Sequence, residues 1–141
     1  MMAHAADFTL INKLTELNAL MSSVTAWCGE RGLSEETVYE VNLIVDEVVS
    51  NIIRHGFKDG KEHTIQFGIS LEGTDLVMKI QDEGVHFNPL IIPAPDTSKP
   101  MQERQPGGLG IYMVKKLTSD VQYRREGDTN FLVLRKTAVF D

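Results

Sequence analysis

Between Val38 and Ile53 the apolar residues Val38, Val41, Ile44, Val45, Val48, Val49, Ile52 and Ile53 recur at three- and four-residue intervals. That spacing predicts an amphipathic helix with one buried face. Ser34 is a good N-cap, Glu35 and Glu36 suit the positive end of the helix dipole, and the pattern stops near Gly56. Leu17, Leu20, Met21, Val24 and Trp27 give an earlier helix over Thr15–Arg31, ended by Gly32. The period then changes. Thr64–Ser70 and Leu76–Gln81 read as strands joined by the turn Glu72-Gly73-Thr74-Asp75, and Phe8–Ile11 as a short strand before the helices. A helix over Gly110–Leu117 and strands over Val121–Arg125 and Phe131–Lys136 close the pattern. Asn88–Pro106 fits neither period and holds all five prolines; a structureless stretch this long inside a domain reads as a lid or binding loop. The order predicts an α+β fold: a two-layer α/β sandwich with a mixed sheet and helices on one face.

Composition narrows the class. A chain of 141 residues is expected to form one domain over 1–141, with its core over about 8–136. The net charge of −6 repels phosphate backbones, and the basic residues form only short pairs such as Lys115-Lys116 and Arg124-Arg125, so no nucleic-acid partner is expected. Cys28 is the sole cysteine, which excludes an intrachain disulfide and a thiolate metal cluster. Met1–Asp7 lacks the basic and apolar regions of a signal peptide, and no apolar run nears the ~18 residues that span a bilayer. No membrane association and a cytoplasmic location are the expectation.

Three constellations carry candidate chemistry. Glu47, Asn51 and His55 lie at i, i+4 and i+8 along one margin of the apolar arc. Oxygen ligands there suit Mg²⁺, and a carboxylate can orient an attacking hydroxyl as general base; a solvated helix margin has the same spacing. Asp82-Glu83-Gly84 follows a strand, where a carboxylate can accept from an exocyclic amine and Gly84 lets backbone approach a ligand; an ordinary Asp/Gly turn looks alike. Gly107-Gly108-Leu109-Gly110 opens a helix, whose free N–H groups and dipole favour phosphate; a glycine hinge is the other reading. In this order the three supply the parts of an ATP site, with the proline-rich loop between the last two.

Glu47…Asn51, Asp82-x-Gly84 and Gly107-x-x-Gly110 resemble the N, G1 and G2 boxes of the GHKL ATPases, the gyrase, Hsp90, histidine kinase and MutL superfamily. Asp46-Glu47-x-x-x-Asn51 with His55-Gly56, and the Gly-Leu-Gly-Ile-Tyr-Met-Val helix, are similar to bacterial anti-sigma factor serine/threonine kinases. The resemblance runs from about Phe8 to Lys136. It implies a Bergerat fold binding Mg²⁺ and ATP, with Asn51 on the metal and Glu47 activating a protein hydroxyl. Asp82 would receive the adenine amine, with Gly84 beside it and Thr129 near the base. Gly108 and Gly110 would line the phosphates, and Lys99 and Arg104, in a lid over about 88–106, would neutralise the γ-phosphate. The implied partners are a STAS-domain antagonist as substrate, a sigma factor, and a second copy of the chain in a homodimer.

The chain departs from the pattern at His86, where a second G1 glycine is usual, at Asp128 before Thr129, and at Pro106, which restricts Gln105. An ATP-gated binding module with little or no phosphotransfer is the alternative these departures favour. The catalytic piece of a histidine kinase fits less well, because none of the four histidines sits mid-helix in a dimerisation hairpin. A metalloenzyme built on Glu47, His55 and His86 lacks the HExxH spacing.

Overall fold

The computed structural model describes residues 4–86, 88 and 108–141. The elements run β1 (Ala5–Ile11), α1 (Leu14–Glu30), α2 (Glu35–His55), β2 (Thr64–Glu72), β3 (Asp75–Asp82), α3 (Gly108–Leu117), β4 (Asp120–Glu126) and β5 (Thr129–Thr137). Most of the expected lid, with Lys99, Arg104 and Pro106, lies outside the described residues.

The five strands form one sheet in the order β1-β2-β3-β5-β4. Every pairing is antiparallel, where the sequence pattern predicts a mixed sheet. The connections explain the difference. The α1–α2 hairpin returns the chain to the end of the sheet it left, so β2 runs against β1. The α3 crossover would set β4 parallel to β3, but the β4–β5 hairpin inserts β5 between them.

Local chemistry fixes the helices. Gly32, at φ 75°, ends α1 in the left-handed region that glycine adopts without Cβ strain. The Ser34 hydroxyl accepts from the Thr37 N–H at 3.1 Å and so caps α2. Thr37 then accepts from the Val139 N–H at 3.1 Å, tying the last residues of the chain to the α1–α2 corner.

The strand faces alternate as the pleat requires. Ile65, Phe67 and Ile69 of β2, Leu76, Met78 and Ile80 of β3, and Leu132 and Leu134 of β5 are buried. They share one core with Leu17, Leu20 and Val24 of α1, Val41, Ile44, Val45 and Val48 of α2, and Val114 of α3. This is the expected two-layer arrangement, with the helices on one face. Fully burying each such side chain contributes about 1.5–3 kcal/mol. Two buried polar residues break the apolar face of β5. Lys136 donates to the Leu117 carbonyl at 3.0 Å and pairs with Glu40 at 2.9 Å, stapling the end of α3 to α2. Asn130, at the other end, belongs to the candidate site. No described helix is long and apolar enough to cross a membrane.

Candidate functional site

A cavity opens between the C-terminal half of α2, the loop after β3, α3 and the β4–β5 hairpin. Val48, Ile52, Val85, Ile111 and Leu132 give it apolar walls, and Asn51, Asp82, Tyr123 and Asn130 supply its polar groups. A mostly apolar slot with a few fixed polar atoms suits a flat heterocycle held by edge hydrogen bonds.

Asp82 ends β3 on the core face and is 6 % exposed. Its Oδ1 accepts from the Gly84 N–H at 2.8 Å and from Asn130 Nδ2 at 3.1 Å. Oδ2 makes no hydrogen bond among the described residues, so one carboxylate oxygen at the cavity is left as an acceptor. The loop carrying Gly84 is bound on both sides. The Val85 N–H donates to the Gly56 carbonyl at 2.7 Å, so the end of α2 supports it from below. Arg125 Nη1 donates to the Gly84 carbonyl at 2.9 Å from the hairpin side. Gly84 itself is required by contact: a Cβ there would lie 2.4 Å from the Gly56 carbonyl oxygen and 2.8 Å from Asp82 Oδ1. The approach that demands glycine is thus made by the protein's own backbone, where the sequence suggested a ligand.

Glu47 and Asn51 are adjacent on α2, and Asn51 Nδ2 donates to Glu47 Oε1 at 2.9 Å. This bond orients the amide so that its oxygen remains available as a hard ligand. His55, the third member of the row, is exposed. The Glu47 carboxylate lies under the first turn of α3: a Cβ on Gly110 would stand 2.0 Å from Glu47 Cδ. The close approach at Gly110 therefore brings the N-terminal turn of α3, whose first N–H groups have no partner within the helix, onto the Glu47 carboxylate. Among the described residues no group of three His, Cys, Asp or Glu side chains could hold a metal. Mg²⁺ suits such a site, since it takes few protein ligands and keeps waters and phosphate oxygens.

Thr129 is not among the residues that line the cavity. It pairs with Glu126 at the start of β5, and strand alternation turns it to the opposite face from Asn130. Asn130 is the cross-strand partner of Asp82 and takes the cavity position instead. The sequence signal that would have found it is parity: the inward residues of β5 are Asn130, Leu132, Leu134 and Lys136. His86 is exposed, with its ring 5.7 Å from that of Tyr123, and Asp128 lies in the exposed β4–β5 turn.

An antiparallel sheet covered by helices on one face, with a buried carboxylate at a strand end and a Glu/Asn pair under a glycine-led helix, is an arrangement of the histidine kinase-like class. The family model of the histidine kinase-like ATPase domain matches residues 10–136, and the chain belongs to that family. The chain is 25 % identical over 96 residues to the serine/threonine-protein kinase BtrW of Bordetella bronchiseptica, covering 68 % of each chain. It is 26 % identical over 109 residues to the serine-protein kinase RsbW of Bacillus mycoides, covering 74 % of this chain and 67 % of that one. The crystal structure of the RsbU and RsbW domains of Rv1364c from Mycobacterium tuberculosis has the same fold, with a TM-score of 0.69 and 13 % identity. That match covers 96 % of this chain and spans 32 % of the Mycobacterium chain.

Proposed function

We propose that this chain binds Mg²⁺-ATP and acts as a serine/threonine protein kinase in an anti-sigma or partner-switching circuit of the cytoplasm. The observation that carries the reading is the juxtaposition of two halves of one site. The Asp82 acceptor stands at one end of an apolar slot, and the Glu47–Asn51 pair stands under the N-terminal turn of α3 near the other. Kinship with proteins named serine-protein kinases supports phosphotransfer as the reaction.

Within this reading Asp82 Oδ2 accepts the 6-amino group of adenine, and the apolar walls hold the ring. The Asn51 amide oxygen is the protein's ligand to Mg²⁺, whose charge offsets that of the phosphates when it is bound. The N–H groups at Gly108 and Gly110 receive phosphate oxygens. Glu47 takes the proton of a serine or threonine hydroxyl as its oxygen bonds to the γ-phosphorus, and the bond to the β–γ bridging oxygen breaks to release ADP. Lys99 and Arg104 supply positive charge to the phosphates, and the assignment of Thr129 to the base passes to Asn130. The substrate in this proposal is a STAS-domain antagonist; a sigma factor and a second copy of the chain are the other partners.

Calorimetric titration of ATP with and without Mg²⁺, against wild type and Asp82→Asn, tests the reading. Magnesium-dependent binding that collapses in the variant is the expected result. Equal affinity in both proteins removes Asp82 from the site, and the absence of ATP binding by wild type overturns the proposal. Incubation of the loaded protein with a STAS-domain partner then reads phosphotransfer as a phosphorylated serine or threonine.

A further inference from the structure

Asn130 carries more hydrogen bonds than any role at a cavity wall requires. Its Nδ2 donates to Asp82 Oδ1 at 3.1 Å and to the Val85 carbonyl at 3.0 Å, with the Gly84 carbonyl at 3.4 Å. Its Oδ1 accepts from the Tyr123 hydroxyl at 2.6 Å and from Arg125 Nη1 at 3.0 Å. Only one orientation of the amide is compatible with these neighbours. Turned over, Oδ1 would face a carboxylate and two carbonyls, all acceptors, while the NH₂ group would meet the Arg125 guanidinium, which can only donate. Tyr123 and Arg125 therefore fix the sense of the amide, and the amide fixes Asp82.

The consequence is chemical. With Gly84 N–H and Asn130 Nδ2 both donating to Oδ1, the Asp82 carboxyl is fixed in place and Oδ2 is left as the acceptor for a ligand. Such a group favours a ring edge bearing an amine and disfavours one bearing an oxo group, because two acceptors would then meet in a water-poor slot. We infer that Asn130 is a positioning residue that sets the selectivity of the site for 6-aminopurine over 6-oxopurine nucleotides, acting through Asp82 under the control of Tyr123 and Arg125. The inference rests on the nucleotide reading above and extends it to which base the slot accepts and which residue decides.

The test is calorimetric titration of ATP and of inosine triphosphate, which carries a 6-oxo group in place of the 6-amino group, against wild type, Asn130→Asp and Tyr123→Phe. Asn130→Asp keeps the shape of the side chain and its partners in Tyr123 and Arg125, but replaces the donor facing Asp82 with an acceptor. Wild type is expected to prefer ATP by about tenfold or more, the worth of one hydrogen bond to a charged group. In Asn130→Asp the preference should narrow by about tenfold, chiefly through weaker ATP binding. Tyr123→Phe, which retains the ring, should narrow it by a smaller factor in the same direction and serves where Asn130→Asp does not fold. An unchanged preference in a folded variant overturns the inference, as does an equal loss for both nucleotides, which is the mark of a purely structural residue. Failure of wild type to bind ATP overturns the nucleotide reading itself.

Discussion

The same substitution at two glycines of the site should separate its architecture from its chemistry. At Gly84 an added Cβ meets backbone: the Gly56 carbonyl oxygen at 2.4 Å and its carbon at 3.0 Å, besides Asp82 Oδ1 at 2.8 Å. Neither side can swing away. The loop must retreat from the end of α2 by at least about 0.6 Å to bring the closest contact to 3.0 Å. The bonds that hold it there, Val85 N–H to the Gly56 carbonyl at 2.7 Å and Gly84 N–H to Asp82 at 2.8 Å, then stretch or break. A neutral hydrogen bond contributes about 1 kcal/mol and one to a charged group about 1.5–3 kcal/mol. Gly84→Ala should thus cost about 2–4 kcal/mol, and lower the midpoint of thermal unfolding on the order of 10 °C.

At Gly110 the added Cβ meets the Glu47 carboxylate, at 2.0 Å from Cδ and Oε1. That group is the far end of a flexible side chain and can rotate aside. Its departure loses the 2.9 Å bond from Asn51 to a carboxylate, worth about 1.5–3 kcal/mol, while alanine gains up to about 1 kcal/mol of helix propensity. Gly110→Ala should therefore cost at most about 2 kcal/mol, less than Gly84→Ala. Its effect should fall on phosphotransfer, where loss of a positioned general base costs about 10²–10⁴-fold. Urea denaturation of both variants reads the first contrast. Phosphotransfer by Gly110→Ala, Glu47→Ala and the double variant reads the second, because two changes acting through one carboxylate should not add. If Gly110→Ala costs as much stability as Gly84→Ala, or adds to Glu47→Ala in transfer, the close approach of α3 to Glu47 does not serve the chemistry.

Other expectations follow from single contacts. Asn51→Ala should weaken ATP binding in Mg²⁺ and leave it nearly unchanged in EDTA, which paired titrations read; equal effects in both would remove Asn51 from the metal. Lys136→Ala strands Glu40 and the Leu117 carbonyl in a mostly buried setting and should cost about 3 kcal/mol in urea denaturation, much of it recovered when Glu40 is also made apolar. Burial pushes the Cys28 thiol up to about 11, above its ordinary 9.0. Its contribution to stability is therefore complete below about pH 9 and lost as pH rises toward 11. Alkylation at pH 8, followed by mass spectrometry, should be slow on the folded chain and fast in denaturant; equal rates would place the thiol at the surface.

What was legible in the sequence is what depends on period and order along the chain. The apolar repeat of α2 fixed its buried face, and with it the margin on which Glu47 and Asn51 meet. The turn signal Glu72-Gly73-Thr74-Asp75 marked the β2–β3 hairpin, and the two closing strand patterns marked the β4–β5 pair. The start of β1 at Ala5 was not legible, because that strand is held by main-chain pairing with β2 and its first residues are largely exposed. The antiparallel course of the whole sheet was hidden for a similar reason: nothing along the chain announces that β5 will enter between β3 and β4.

The same limit explains why Asn130, and not Thr129, lines the cavity. Thr129 and Asn130 are neighbours in sequence, and a one-residue change of parity in a strand moves a side chain to the other face. Only the cross-strand register, which sets Asp82 opposite Asn130, selects between them. Once it does, a buried polar residue in an otherwise apolar stripe ceases to be an anomaly. A lone buried amide would cost stability; one whose oxygen and NH₂ group are all engaged instead orients its neighbours. The inward positions of β5 show the principle at both ends. Lys136 is tolerated because Glu40 and the Leu117 carbonyl complete its ammonium, and it fastens the helices. Asn130 is tolerated because Tyr123, Arg125, Val85 and Asp82 complete its amide, and it fastens the acceptor on which the base reading depends. The polar exceptions to the strand pattern, more than the pattern itself, mark where this fold holds its helices and its site in register.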